Sequence, residues 1–244
     1  MSKLLVVENE LDRAREFLEL LSMYDEFDVE VVHTYENAKA LLKRYRYEFG
    51  VADVELDDAP NGEIIPLFNK YNISPLIYTD TIDEGFLETY ESSFIVDYAL
   101  KSQRDSTYLI INKLRQLVLN KQTKILIISN SQTYTQYLKQ NLAMHNFQII
   151  IAKNSAETLE KIKLHPELNL IITEYDLPFV NGLELVKKIR KLKTKKKLKI
   201  LTLTNNPESE ITLSFLSEGA DDYLVKPFSR AELYESIYKN VQII

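Results

Sequence analysis

The sequence predicts two α/β domains in tandem, each built on a five-stranded parallel sheet with helices on both faces. Two observations lead to this prediction. Short apolar runs alternate with amphipathic stretches along the chain, which is the pattern of parallel strands joined by crossover helices. The same pattern occurs once in each half of the 244 residues, with similar residues at the strand ends. A repeat of this length favours one domain per copy.

The internal repeat can be followed residue by residue. The segment Lys3–Asn9 (KLLVVEN) aligns with Lys124–Asn130 (KILIISN) at an offset of 121 residues. Further along, Asp97–Lys101 (DYALK) aligns with Asp222–Lys226 (DYLVK) at an offset of 125. The first copy is therefore four residues shorter between these anchors, over its third helix and the flanking loops.

The elements follow in order along each copy. In the first copy, helical periodicity predicts helices near residues 11–23, 35–46, 63–71, 83–91 and 105–119. In the second copy, apolar runs predict strands near residues 124–128, 148–152, 169–173, 199–203 and 222–225. Only a short linker separates the last helix of one copy from the first strand of the next. We therefore expect domains at residues 1–120 and 123–244.

Composition excludes several classes of protein. The hydrophobic fraction of 45% and charged fraction of 27% are those of a globular protein. The chain has no cysteine, which excludes disulfides, thiolate metal sites and cysteine nucleophiles. The first apolar run, residues 4–7, is too short for a signal peptide or a membrane span. We expect a cytoplasmic protein without a membrane partner.

Charge is distributed unevenly between the copies. Residues 1–121 carry 13 basic and 23 acidic side chains, whereas residues 122–244 carry 17 basic and 13 acidic ones. Much of the positive charge lies in the run Lys187–Lys199. No interleaved aromatics or recognition helix accompany this run, so a solvated helix end is favoured over nucleic-acid or lipid contact. Docking on the acidic first domain is a third interpretation.

Polar residues that could carry chemistry fall where the predicted strands end. In doubly wound sheets, functional residues lie at the carboxyl ends of the strands. In the first copy these positions hold Glu8, Asn9, Asp53, Thr79 and Lys101. The second copy has Ser129, Asn130, Glu174, Thr204 and Lys226 in the same places.

With these residues, the chain resembles the receiver domains of two-component response regulators, including the chemotaxis regulators. The runs Thr173–Arg190 (TEYDLPFVNGLELVKKIR) and Gly219–Phe228 (GADDYLVKPF) are strongly receiver-like. The first copy is more divergent but keeps the same spacings, so the resemblance covers nearly the whole chain. It implies two flavodoxin-like domains in tandem, each with strand order 2-1-3-4-5.

For the first copy, the resemblance implies a phosphoryl-acceptor site at Asp53. Thr79 matches the switch hydroxyl, Lys101 the phosphoryl-binding lysine and Tyr98 the switch aromatic. Mg²⁺ is expected on Glu8, Asn9, Asp53 and the backbone of Glu55, with Glu10 as a further candidate. Because Asn9 is a neutral amide where the family has an acid, we expect the affinity for Mg²⁺ to be reduced. Ser102 also replaces the proline that usually follows the lysine.

The second copy keeps the fold signature but has lost the chemistry. Ser129 and Asn130 replace the acidic pair, and Glu174 replaces the acceptor. The extra methylene moves the carboxylate by about 1.5 Å, which spoils in-line geometry. Thr204, Tyr223 and Lys226 are retained. Two hypotheses remain open: Glu174 fills the phosphoryl position and pairs with Lys226 to hold one state, or the site has decayed to a scaffold with an incidental ion pair.

The function implied is that of a response regulator, or of its N-terminal tandem receiver module. Asp53 would accept a phosphoryl group from a histidine kinase or phosphotransfer protein. The second domain would serve dimerisation or contact an effector through the helix 4–strand 5–helix 5 face. We expect no enzymatic activity in the chain itself.

The sequence is also compatible with functions other than phosphoryl acceptance. The chain could be an interaction scaffold in which neither domain is phosphorylated, or a regulatory fragment of an effector such as a diguanylate cyclase. A phosphatase of the haloacid dehalogenase type is disfavoured, because Asp53-Val-Glu55 matches its acid pair poorly and the tandem repeat argues against it.

Overall fold

The computed structural model describes residues 1–81, 94–177, 180–205 and 210–241. Its contacts divide the chain into two compact units, Met1–Val118 and Leu119–Ile244. Each unit contains one five-stranded sheet in which all the strand pairs are parallel.

The first unit alternates strands and helices from its first residues. Its strands are β1 (Ser2–Val7), β2 (Phe27–Val32), β3 (Phe49–Ala52), β4 (Leu76–Thr79) and β5 (Asp97–Leu100). Its helices are α1 (Leu11–Leu21), α2 (Tyr35–Arg44), α3 (Ile64–Lys70) and α4 (Ser106–Asn120), the last of which ends just beyond the unit boundary. The sheet order is β2-β1-β3-β4-β5. The helix predicted near residues 83–91 lies outside the described residues.

The core of the first unit lies on both faces of this sheet. Leu4, Leu5, Val6 and Val7 of β1 are all fully buried, as expected for a central strand covered on both sides. Alternate residues of β1 therefore belong to two separate apolar clusters. On one face, the ring of Phe17 from α1 meets Tyr78 edge-on at 5.1 Å between ring centroids.

The second unit repeats this arrangement. Its strands are β6 (Lys124–Ile128), β7 (Gln148–Ala152), β8 (Leu170–Glu174), β9 (Lys199–Thr204) and β10 (Asp222–Val225). Its helices are α5 (Gln132–Met144), α6 (Ser155–Leu164), α7 (Gly182–Leu192), α8 (Glu210–Ser217) and α9 (Arg230–Asn240). Starting from its edge strand β7, the order is β7-β6-β8-β9-β10. This is again 2-1-3-4-5, so the predicted fold class is confirmed in both units.

The length difference between the copies lies at the third helix. In the first unit α3 has 7 residues, whereas its counterpart α7 has 11. The shortening thus lies where the sequence comparison placed it and leaves the flanking strands paired in the same order. Within the described ranges, no helix is long and apolar enough to cross a membrane.

Candidate functional site

One lysine is the centre of the polar cluster in the first unit. The Nζ atom of Lys101, just after β5, donates to Asp53 Oδ2 at 2.6 Å, to Glu8 Oε1 at 2.9 Å and to Glu10 Oε1 at 3.0 Å. Asp53 follows β3, whereas Glu8 and Glu10 follow β1. Because parallel strands end at one edge of the sheet, residues 48 and 93 positions away from Lys101 reach the same ammonium group.

Backbone contacts fix the orientation of Asp53. Its N–H donates to the carbonyl of Val7 at 2.9 Å, which continues the pairing of β3 with β1. Its Oδ1 accepts from the N–H of Glu55 at 3.0 Å, while Oδ2 contacts Lys101. Asp53 is only 3% exposed, so one carboxylate oxygen is held by the loop and the other by the lysine.

Burial changes the acid–base properties of this cluster. The side chain of Glu8 is 1% exposed, and desolvation raises its pKa to about 7 even though Lys101 and the N–H of Glu10 oppose the shift. For Lys101, burial alone would lower the pKa. Its hydrogen bonds to Asp53, Glu8 and Glu10 outweigh that penalty and raise the pKa above its ordinary value. The lysine therefore stays charged.

The amide of Asn9 bridges the two loops that carry the acids. Its Nδ2 donates to the carbonyl oxygen of Glu55 at 3.3 Å and to Asp57 Oδ1 at 3.4 Å. Its Oδ1 is buried and has no hydrogen-bond partner in the described part of the chain, and the same holds for Glu8 Oε2. Two oxygen acceptors beside Asp53 are thus without a donor from the described residues.

These oxygens fit a hard divalent cation. Mg²⁺ takes oxygen ligands and usually binds through one or two carboxylates and several waters. Glu8, Asn9, Asp53 and the carbonyl of Glu55 supply such a set. Across the described ranges, no group of three or more His, Cys, Asp or Glu side chains is arranged to hold a metal by itself. The carboxylates here gather around Lys101 instead.

The remaining site residues of the first unit lie nearby or on its surface. Thr79, at the end of β4, is fully buried, and its hydroxyl has no hydrogen-bond partner among the described residues. Tyr98 is 46% exposed. Asp58 lies exposed in the turn that follows β3. Asp58 accepts from the N–H groups of Tyr35 and Glu36 at 2.8 and 3.1 Å and so caps α2.

In the second unit, Glu174 is held by two partners. Lys226 Nζ donates to Glu174 Oε1, and Ser129 Oγ donates to Oε2 at 3.1 Å. The predicted pair of Glu174 with Lys226 is therefore present, and a serine from the lost acidic pair completes it. Asn130 is exposed and does not join the cluster. Both hypotheses for this site require the observed contact, so geometry alone does not separate them.

The retained switch residues of the second unit also lie near this pair. Thr204 ends β9 and accepts a hydrogen bond from Thr212 Oγ1 at 3.4 Å, and Tyr223 in β10 is half-buried. Gly182 begins α7 close to β8. A Cβ atom there would lie 2.0 Å from the carbonyl oxygen of Glu174, so only glycine fits this approach.

Two residues contact the lysines of the two sites although the sequence analysis did not predict these contacts. Glu10 was only a candidate metal ligand, whereas in the structure it is the third carboxylate on Lys101. Tyr134 on α5 lies with its ring 3.8 Å from Lys226 Nζ. At the offset of 121 residues Tyr134 corresponds to Arg13, which donates to the carbonyl of Lys101 at 3.4 Å. The repeat alignment was the available signal for this position.

Comparison with known proteins assigns the fold to a family. Residues 125–238 match the response regulator receiver domain family. The second unit is a receiver domain. Chemotaxis protein CheY1 of Helicobacter pylori is 29% identical over 115 residues, which cover 47% of this chain and 93% of that protein. Response regulator ArlR of Staphylococcus aureus is 33% identical over 115 residues, which cover 51% of that protein.

A solved structure resembles nearly the whole chain. It is described as a two-component system response regulator/GGDEF domain protein and matches with a TM-score of 0.84 and 25% identity, over 99% of this chain and 98% of the other. A second structure with the same description matches with a TM-score of 0.83 and 24% identity, which supports the fold. The resemblance to tandem response-regulator receivers is confirmed. Receiver domains are regulatory domains that generally bind Mg²⁺ and interact with histidine kinases or phosphotransfer proteins.

Proposed function

We propose that Asp53 of the first receiver accepts a phosphoryl group from a histidine kinase or phosphotransfer protein. The observation that carries the proposal is the buried Asp53 carboxylate, held 2.6 Å from Lys101 beside two acceptor oxygens that have no donor among the described residues. In this reaction an Asp53 oxygen attacks phosphorus in line. The O–P bond forms as the N–P bond of the phosphohistidine breaks, and the histidine keeps the electron pair.

The residues around Asp53 have roles that follow from their positions. The backbone N–H of Glu55 keeps the carboxylate oriented, and Lys101 supplies a fixed positive charge for the transferred oxygens. Thr79, whose buried hydroxyl has no partner among the described residues, is available to bind the new phosphoryl group. Glu8, Asn9, Asp53 and the Glu55 carbonyl would hold Mg²⁺. When bound, this ion neutralises charge on the transferred group.

The second receiver has a different role in the proposal. Its acceptor position holds Glu174, already bound to Lys226 and Ser129, so we assign it no phosphotransfer. It would instead form a dimer or contact an effector through its fourth helix, fifth strand and fifth helix, which are α8, β10 and α9. Leu213 of α8 is 67% exposed, as suits such a surface. The same proposal includes two domains, at residues 1–120 and 123–244. It also includes a cytoplasmic location.

Beryllofluoride, a phosphoryl mimic, tests the acceptor directly. The full chain is incubated with BeF₃⁻ and Mg²⁺, and bound fluoride is observed by ¹⁹F NMR. We expect one set of bound resonances in the wild type and in Glu174→Gln, and none in Asp53→Asn. Bound resonances that persist in Asp53→Asn, or that require Glu174, would contradict the assignment.

A second function is favoured by one specific observation. Lys101 already donates hydrogen bonds to three carboxylates, and neutral Asn9 replaces the acid expected beside Glu8, which suits a scaffold that works without phosphorylation. With or without phosphorylation, the chain could regulate a diguanylate cyclase as its output, in line with the GGDEF protein that the chain resembles. The scaffold version predicts no BeF₃⁻ resonances in any variant, and the same experiment therefore separates the two.

A further inference from the structure

An open groove lies beside the altered site of the second receiver. Its volume is about 660 Å³, within the roughly 300–1,000 Å³ typical of small-molecule sites. It is lined by the start of α5, by the segment after β10 and by Asn205, which follows β9. Its wall residues include Thr133, Tyr134, Tyr137, Pro227 and Phe228, with Lys226 at the same site.

Three aromatic rings belong to this wall, those of Tyr134, Tyr137 and Phe228. Tyr134 and Tyr137 are stacked, with ring centroids 5.9 Å apart and planes 27° apart. Tyr134 also meets Phe228 edge-on at 6.3 Å. Such rings bind best to another flat ring, which can stack on their faces or meet their edges.

Lys226 provides the polar contact. Its side chain is 24% exposed, and the ammonium lies 3.8 Å from the ring of Tyr134. One of its three N–H groups is directed to Glu174, so others remain for an acceptor on a ligand. Because Glu174 balances its charge and, among the described residues, no other charged side chain lines the groove, a neutral ligand fits better than an anion.

The first receiver has no such wall at the corresponding positions. The counterparts of Tyr134 and Tyr137 at the 121-residue offset are Arg13 and Glu16, which form an ion pair at 3.4 Å. The counterpart of Phe228 at the 125-residue offset is Gln103. Three polar or charged positions in one copy are thus aromatic in the other, beside the site where the acceptor aspartate has been replaced.

From these contacts we propose that the second receiver binds a small, neutral, planar aromatic molecule through this groove. Its ring packs against Tyr134, Tyr137 and Phe228, and an acceptor oxygen takes a hydrogen bond from Lys226. Binding at this position would connect a ligand directly to the Glu174–Lys226 pair, in the place where a phosphoryl group acts in an active receiver.

The test uses prodan, a neutral naphthalene ketone whose emission shifts to the blue in apolar sites. Titration into the full chain should give saturable binding with one site per chain. We expect Tyr137→Ala and Phe228→Ala each to weaken the affinity about tenfold, since each removes a ring contact. Thr133→Arg, a change at an exposed position on the wall, should block entry without altering the core. Tyr108→Ala, at a 44% exposed tyrosine of the first unit, is the control and should bind as wild type.

Several results would overturn the proposal. The first is the absence of saturable prodan binding. The second is an affinity for prodan in all three groove variants equal to that of the wild type. The third is a set of ¹H–¹⁵N shift changes on prodan binding that lie away from residues 131–137 and 226–228. Loss of phosphotransfer-protein binding in the same variants, without any prodan binding, would overturn it in favour of a protein contact. The circular-dichroism spectra of the variants establish that each is folded.

Discussion

Replacing Glu8 by glutamine should stabilise the first receiver increasingly as the pH rises from about 4.5 to about 7. Burial raises the pKa of Glu8 from 4.5 to about 7. Between these values the unfolded chain loses the proton while the folded chain keeps it. The free energy of unfolding of the wild type therefore falls as pH rises from 4.5 to 7 and is level above. The interval corresponds to about 3 kcal/mol, and a neutral glutamine does not incur this loss.

The measurement is urea unfolding between pH 4 and 8, followed through ¹H–¹⁵N resonances of β1, which report the first unit alone. The advantage of Glu8→Gln over wild type should grow by about 3 kcal/mol between pH 4.5 and 8. Glu10→Gln is the matched control. Its carboxylate contacts the same lysine but is 50% exposed, so we expect a change below about 1 kcal/mol. An advantage of Glu8→Gln that is constant across this range would refute the reasoning.

Three further predictions test other contacts. Asn9→Asp restores the missing acid, and we expect the Mg²⁺ affinity, measured by calorimetry, to rise about tenfold; an unchanged affinity would place the ion elsewhere. Lys226→Ala leaves the mostly buried Glu174 carboxylate without its cation and should cost the second unit about 3 kcal/mol in urea unfolding. Adding Glu174→Leu should recover most of that loss, and no recovery would count against the ion pair. Gly182→Ala places a Cβ 2.0 Å from a backbone oxygen and should destabilise the second unit by more than about 3 kcal/mol, whereas an unchanged melting temperature would contradict the close approach.

The fold could be predicted from sequence because its causes are periodic. The run Leu4–Val7 is buried on both faces of its sheet, and a central parallel strand covered on both faces is typically a continuous apolar run of this kind. Strand ends in such a sheet meet at one edge, so Asp53 and Lys101 could be placed together although they are 48 residues apart.

The details of the site depend on side-chain geometry that spacing does not contain. Whether Glu10 points to Lys101 or to water depends on the side-chain conformation where α1 begins. The raised pKa of Glu8 arises from complete burial, which a polar residue just after a strand does not reveal. The aromatic groove forms only when α5 meets the segment after β10, which begins 92 residues beyond Tyr134 in sequence.

Intact-mass analysis after phosphorylation tests most directly whether the first receiver is active and the second is silent. Wild type, Asp53→Asn and Glu174→Gln are incubated with Mg²⁺ and acetyl phosphate or phosphoramidate. We expect one added phosphoryl group in the wild type and in Glu174→Gln, and none in Asp53→Asn. An added group that persists in Asp53→Asn, or that disappears in Glu174→Gln, would contradict this division of roles.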